Sequence, residues 1–164
     1  MARVTVAIAI GSNLGDRASH LAFACDRLYR LLTDFQTSSF IETEPVGMPD
    51  VQAKVLNAAA VGKSEGSPRA LLSALMAIER ERGRERPFPG ASRTLDLDLI
   101  LFGDRVVSED DLTVPHPRFR ERAFVLEPLA EIAPALRDPV TGKTVAELLA
   151  SLRLAKRGAE ARRP

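Results

Sequence analysis

Arg93-Thr94-Leu95-Asp96-Leu97-Asp98-Leu99-Ile100-Leu101-Phe102 is the stretch on which fold and chemistry both turn. Leu95, Leu97 and Leu99 alternate with Asp96, Asp98 and Ile100, the period of a half-buried strand. Residues i and i+2 of a strand share a face and lie roughly 6–7 Å apart. Two carboxylates are therefore held side by side on a strand that otherwise reads as core. At an effective dielectric of about 20 their repulsion costs on the order of 2–3 kcal/mol. A bare Asp-x-Asp is more often two solvated charges on an edge strand. A hard, oxygen-binding cation such as Mg²⁺ is the partner that offsets the repulsion.

The surrounding arginines favour the cation. The chain has 23 basic residues, of which only Lys54, Lys63, Lys143 and Lys156 are lysines. Arg80, Arg82, Arg84, Arg86 and Arg93 precede the aspartates, and Arg118, Arg120 and Arg122 follow His116. Guanidinium forks match phosphate oxygens, so the combination suits a polyphosphate carried by Mg²⁺. The bland alternative is a composition that prefers arginine everywhere.

Working outward, Val4, Val6, Ile8 and Ile10 alternate to a first strand ending at Gly11. Ala18, Leu21, Ala22, Cys25, Leu28, Tyr29 and Leu32 follow at helical spacing, with Asp16 as the N-cap. Residues 35–42 read as a second strand and 54–62 as a third. Ser67-Pro68 opens a second helix at the cap and N1 positions, and Gly83 closes it. Thr144 and Glu147 form a capping box for a last helix. Strand, helix, strand, strand, helix, strand is the split βαβ order of an α+β, ferredoxin-like sandwich. A mainly antiparallel sheet with helices on one face is expected, plus C-terminal extra elements.

At 164 residues with a formal net charge of +1, the chain reads as one domain over 1–153 with a polar, frayed tail over 154–164. The charge balance argues against a duplex nucleic-acid partner. A lone Cys25 excludes an internal disulfide and a zinc cluster. No apolar run reaches membrane-spanning length and no signal peptide is evident, so a cytoplasmic monomer acting on small molecules is expected. Gly62-Lys63-Ser64 and Gly142-Lys143-Thr144 imitate the end of a phosphate-binding loop, but Asn57 and Arg137 stand where that motif needs its first glycine. A non-catalytic ligand sensor would not need the paired aspartates, and an RNA-binding sheet would want surface aromatics instead. A two-metal phosphohydrolase is the nearest enzymatic rival.

Gly11-Ser12-Asn13-Leu14-Gly15, Leu56-Asn57-Ala58-Ala59, Ile78-Glu79, Gly83-Arg84, Arg93 to Asp98 with Phe102-Gly103, and Leu112-Thr113-Val114-Pro115-His116 with Arg122 and Phe124 occur in one order. Together, over roughly residues 4–140, they resemble the 6-hydroxymethyl-7,8-dihydropterin pyrophosphokinases of folate biosynthesis. The resemblance implies that Asp96 and Asp98 hold two Mg²⁺ ions on the co-substrate ATP, with Arg84 and Arg93 as their catalytic companions. Glu79, Arg84, Arg93, Thr113, His116 and Arg122 would face the nucleotide. Thr43, Pro45, Val46, Gly47, Asn57, Asp96 and Phe124 would line the pterin site, Phe124 by stacking. Arg84 and Arg86 would lie on a closing lid. Three positions depart from the family pattern: the loop before Arg93 is one residue short, Val55 replaces an aromatic, and Asp111 replaces a basic residue.

Overall fold

A computed structural model describes residues 3–44, 54–83 and 94–161. The strands are β1 (Val4–Ser12), β2 (Thr33–Thr37), β3 (Ile41–Thr43), β4 (Val55–Ser64), β5 (Asp96–Phe102), β6 (Val107–Glu109) and β7 (Leu112–Val114). The α-helices are α1 (Arg17–Leu31), α2 (Pro68–Glu81), α3 (Ala123–Ile132) and α4 (Val145–Ala161). The main sheet has the order β2-β4-β1-β5, with β3 continuing along β4 beyond β2, and β6 and β7 form a separate hairpin. Every pairing in the main sheet is antiparallel. This is the expected α+β, ferredoxin-like arrangement, and it puts β5 on the outside edge beside β1.

The caps form where short-range chemistry dictates. Asp16 accepts from the Ser19 N–H at 3.2 Å and Ser67 from Ala70 at 3.1 Å. Thr144 and Glu147 exchange the two bonds of a capping box at 3.1 and 3.2 Å. Gly83, with φ of 79°, takes the left-handed conformation just beyond α2 that glycine adopts without a Cβ clash.

Three expectations are corrected. Helices cover both faces of the sheet, not one. Val6, Ile8, Ile10, Leu97 and Leu99 pack with Leu21, Leu28, Leu71 and Leu75 of α1 and α2. Ala7, Ala59, Ile100 and Leu101 pack with Val125, Leu126, Leu129, Leu148 and Leu149 of α3 and α4. Secondly, the strand expected over 35–42 is two pieces. Ser38 interrupts it: its hydroxyl accepts from the Ala59 N–H at 2.8 Å and donates to the Ser39 carbonyl at 2.9 Å. Lastly, residues 154–161, expected to be frayed, continue α4 although Leu154 stays exposed.

The register of β5 explains its mixed pattern. Ile8 faces Leu99 and Ala7 faces Leu101, leaving Ile100 as the extra residue of a bulge. A bulge reverses the alternation, so Leu99 and Phe102 enter one core while Ile100 and Leu101 enter the other. Asp96 and Asp98 lie before the bulge, opposite Gly11 and Ala9.

Candidate active site

Asp96 and Asp98 occupy the half-buried end of β5. Alternation places them on the sheet face covered farther along by α3 and α4, where their partners on β1 are only a glycine and an alanine. Small neighbours leave space above the carboxylates. Two half-buried carboxylates are hard oxygen donors, and Mg²⁺ keeps several waters and substrate phosphates among its ligands. No group of three or more His, Cys, Asp or Glu able to hold a metal occurs among the described residues. The donor set thus fits a cation that arrives with phosphate, and it does not fit a closed structural metal site.

His116 stands beside this pair because its backbone N–H donates to the Ile100 carbonyl at 2.9 Å. The Nδ1 atom accepts from the Arg118 N–H at 3.1 Å, so the neutral ring carries its proton on Nε2 and offers a donor. Burial, then the charge of Arg122, lower the pKa of His116 below its usual value; Asp96 acts in the opposite sense and Arg118 adds to the lowering. Arg122 is the N-cap residue of α3, and its guanidinium lies over the ring of Phe124, 5.5 Å from the centroid. Phe124 sits in the first turn of α3, against the second core.

Of the expected pterin residues, Thr43, Asn57 and Asp96 lie at the same end of the sheet. Asn57 on β4 is buried, and its Nδ2 donates to the Thr43 hydroxyl and, at 3.5 Å, to the Val55 carbonyl. Register places Gly11 directly between Asn57 and Asp96, since it pairs with both. A Cβ at Gly11 would stand 3.4 Å from the Asn57 Oδ1 and 3.7 Å from the Val55 side chain. Gly11 therefore keeps the floor open between the amide and the carboxylate. The Gly11–Gly15 turn was visible in the sequence, but this clearance depends on a cross-strand partner 46 positions away (57 − 11).

A cavity of about 290 Å³ opens on the other side of β5, lined by Asp98, Leu72, Leu99, Thr113, His116 and Asp111. It brings Thr113 and His116 to one hollow. Asp111 is held by Arg69 in two bonds of 2.9 and 3.1 Å, and Arg69 also reaches Glu109 at 2.9 Å. The acidic residue that stands in place of the basic one thus ties the β6–β7 hairpin to the start of α2. Arg69 holds the Asp111 carboxyl below the usual range.

Some arginines expected near phosphate are committed elsewhere. Arg120 donates to the fully buried Asp138 at 2.6 and 3.0 Å. Arg82 donates to His20 Nδ1 at 2.9 Å and to the Ser19 hydroxyl at 2.8 Å, and lies over Phe23. Glu79, expected to face the nucleotide, is buried and accepts the Leu97 N–H at 2.8 Å. Pro45, Val46, Gly47, Arg84, Arg86 and Arg93 lie outside the described residues.

Comparisons with known proteins place the chain in a family. Residues 7–134 match the family model of 7,8-dihydro-6-hydroxymethylpterin-pyrophosphokinase. A Bacillus subtilis protein named 2-amino-4-hydroxy-6-hydroxymethyldihydropteridine pyrophosphokinase is 43% identical over 136 residues, covering 82% of this chain and 81% of that one. A Pseudomonas aeruginosa protein of the same name is 40% identical over 148 residues, covering 89% and 90%. A crystal structure titled Plasmodium falciparum HPPK-DHPS has the same fold, with a TM-score of 0.73 at 14% identity, over 92% of this chain and 45% of that one. The chain belongs to the 7,8-dihydro-6-hydroxymethylpterin-pyrophosphokinase family.

Proposed function

We propose that this chain transfers pyrophosphate from MgATP to the hydroxymethyl group of 6-hydroxymethyl-7,8-dihydropterin, a step of folate biosynthesis. The hydroxymethyl oxygen attacks the β-phosphorus and gives up its proton to solvent, the bond from the bridging oxygen to that phosphorus breaks, and AMP leaves with the bridging oxygen. The observation that carries the reading is the shared register of Gly11 with Asn57 on one side and Asp96 on the other. It sets a buried amide, suited to the polar edge of a flat heterocycle, next to carboxylates suited to a metal-bound phosphate.

Asp96 and Asp98 would hold the Mg²⁺, two ions in our reading, which when bound neutralise phosphate charge and polarise the transferring group. The Nε2–H of His116 and the guanidinium of Arg122 then supply donors to phosphate oxygens. Thr113 and the cavity beside Asp98 receive the nucleoside. Asn57 and Thr43 orient the pterin, and Phe124 stacks on it with Arg122 over the ring. Val55 leaves that stack one-sided. Among the described residues none stands out as a general base beside the acceptor, so the rate comes from positioning and charge stabilisation. Arg84 and Arg93 complete the phosphate contacts in this reading. In this reading the protein is a monomer working on small molecules; no described helix is long and apolar enough to cross a membrane.

The test is incubation with MgATP and the hydroxymethyl pterin. AMP and a pterin diphosphate appearing in equal amounts are expected. ADP with a pterin monophosphate, or ATP loss that ignores the pterin, would overturn the proposal.

A further inference from the structure

Glu79 lies on α2, 18 residues before Leu97 in the chain, and is 4% exposed. Its Oε2 accepts the backbone N–H of Leu97 at 2.8 Å. Leu97 is the residue between Asp96 and Asp98, on the outer strand of the sheet. One edge of β5 is paired to β1, and the Glu79 bond is made from its other edge. Farther along that edge, the Ile100 carbonyl accepts from the His116 N–H at 2.9 Å. The outer side of β5 is therefore held at Leu97, between the two carboxylates, by a carboxyl side chain, and two residues past Asp98, at Ile100, by backbone.

A charge-assisted bond to a peptide N–H is shorter and stronger than a neutral one. The Leu97 N–H belongs to the Asp96–Leu97 peptide, so displacing it tilts the segment and shifts Asp96 relative to Asp98. We propose that Glu79 is a positioning residue: it sets the height of the Asp96–Leu97–Asp98 segment, and so the spacing of the two carboxylates, through the Leu97 amide. This departs from the role that the resemblance implied, a contact to the nucleotide. Groups outside the first ligand shell of a metal commonly change affinity or activity by about 10- to 100-fold when replaced. The catalytic part of the proposal rests on the pyrophosphokinase reading, whereas the structural part stands without it.

Two substitutions separate reach from charge. Glu79→Gln keeps the length of the side chain and an oxygen acceptor but loses the charge. Glu79→Asp keeps the charge and withdraws it by one methylene. In the full chain, the Leu97 amide followed by NMR should stay protected from exchange in Glu79→Gln and lose protection in Glu79→Asp. Titration with MnATP in the absence of pterin should broaden the Asp96–Asp98 amide signals at a concentration about 10- to 100-fold higher in the Asp variant. The Gln variant should stay within about fivefold of wild type. Turnover, read as AMP formation, should rank Gln above Asp, with the Asp defect in kcat and in Mg²⁺ demand. A reversed rank, or a Gln defect confined to KM for ATP, would overturn the proposal, because charge presented to the nucleotide would then be what matters. Loss of Leu97 protection in Glu79→Asp with unchanged MnATP titration and kcat would overturn it too, leaving Glu79 as part of the fold alone. Failure of the wild type to make AMP and pterin diphosphate would instead remove the functional reading while the amide and MnATP measurements still decided the role of Glu79.

Discussion

Arg120 and Arg122 are two residues apart and belong to different worlds. Arg120 is spent inside the protein: Asp138, with no exposed surface, takes both arms of its guanidinium and also accepts from the Val140 N–H and the Thr141 hydroxyl. Arg122 lies over the Phe124 ring and near enough to His116 to depress its pKa. The first arrangement satisfies a buried carboxylate on every side, and such a group has nothing left to offer a ligand. The second places its charge where half-buried carboxylates, an imidazole N–H and an aromatic ring converge. Identical residue types at neighbouring positions thus divide into a clamp and a residue of the proposed site according to what the fold sets opposite them.

The sharpest way to break that division is to neutralise one carboxylate in each region. Asp98→Asn should lower AMP formation by on the order of a hundredfold or more, since a neutral amide is a poor substitute for a carboxylate on a hard cation. Its melting temperature should stay within about 3 °C of wild type, as a half-buried position costs little. Turnover assays at saturating Mg²⁺ beside thermal melts check both halves. A variant that melts much lower and keeps its rate would make Asp98 a structural residue like Asp138.

Phe124→Ala asks whether the ring belongs to the site or to the core beneath it. Pterin binding should weaken by about 1–3 kcal/mol, taking base–aromatic stacking as the guide. Nucleotide binding should weaken by no more than about 1 kcal/mol, the scale of the cation–π contact from which Arg122 would be released. Calorimetric titration of each ligand separates these expectations. Equal losses for both would assign Phe124 to packing.

Much of this division was legible in the sequence wherever the governing interaction is local. The alternation in β1 and β5, the caps at Asp16, Ser67 and Thr144, and the end of α2 at Gly83 each depend on residues within one turn or strand. The parts that were not legible depend on distant partners. The bulge at Ile100 exists because Ala7 and Ile8 pair on either side of it, and the run Leu99-Ile100-Leu101-Phe102 gives no local sign of where alternation reverses. Helix α3 is short and carries Pro128, which lacks the N–H for an internal helical bond; packing of Val125, Leu126 and Leu129 on the small residues Ala7 and Ala59 supports it. Because α3 and α4 were only extra elements in the sequence, the second covered face went unseen. Asp96, Asp98 and His116 could be singled out by residue type and spacing. That Arg120 and Arg82 are occupied, and that Glu79 reaches Leu97, could be seen only once the chain was folded.

The clamp should respond to acid. Burial alone would raise the pKa of Asp138, but Arg120, the Thr141 hydroxyl and the Val140 N–H outweigh it and bring it down to about 2. A depressed carboxyl pKa means that its contribution, about 2–3 kcal/mol from the size of the shift, is complete above about pH 4. It is lost as pH falls through about 2. Asp138→Asn should therefore lower the melting temperature at pH 7 by about 5–10 °C. It should also flatten the melting-temperature profile between about pH 4 and pH 2. Well below the melt its kcat should stay within about threefold of wild type, as no substrate contact is removed. An unchanged melt would mean that the Arg120 pair contributes nothing to the fold.

The smallest expected effect comes from a second arginine held away from phosphate. Arg82 donates from Nε to His20 Nδ1 at 2.9 Å, joining the first turn of α1 to the residue that follows α2. The acceptor here is a neutral ring rather than a carboxylate, and the bond exists only while Nδ1 is unprotonated. Burial, then the charge of Arg82, lower the pKa of His20 from its usual value, while Asp16 and a backbone bond to Leu14 act the other way. The folded protein therefore binds the proton less readily than the unfolded chain, so the contribution is present above about pH 6.5, the ordinary histidine value. It is lost as pH falls below that. Asn offers an oxygen in nearly the place of Nδ1 and does not titrate in this range. Wild type should thus lose more melting temperature between pH 7.5 and pH 5.5 than His20→Asn does, by about 1–2 °C. The loss remaining in the variant should come from His116, whose pKa burial and Arg122 also lower. Equal pH responses in the two proteins would show that the Arg82–His20 bond does not couple protonation to folding, and would leave Arg82 held by Ser19 and the Phe23 ring instead.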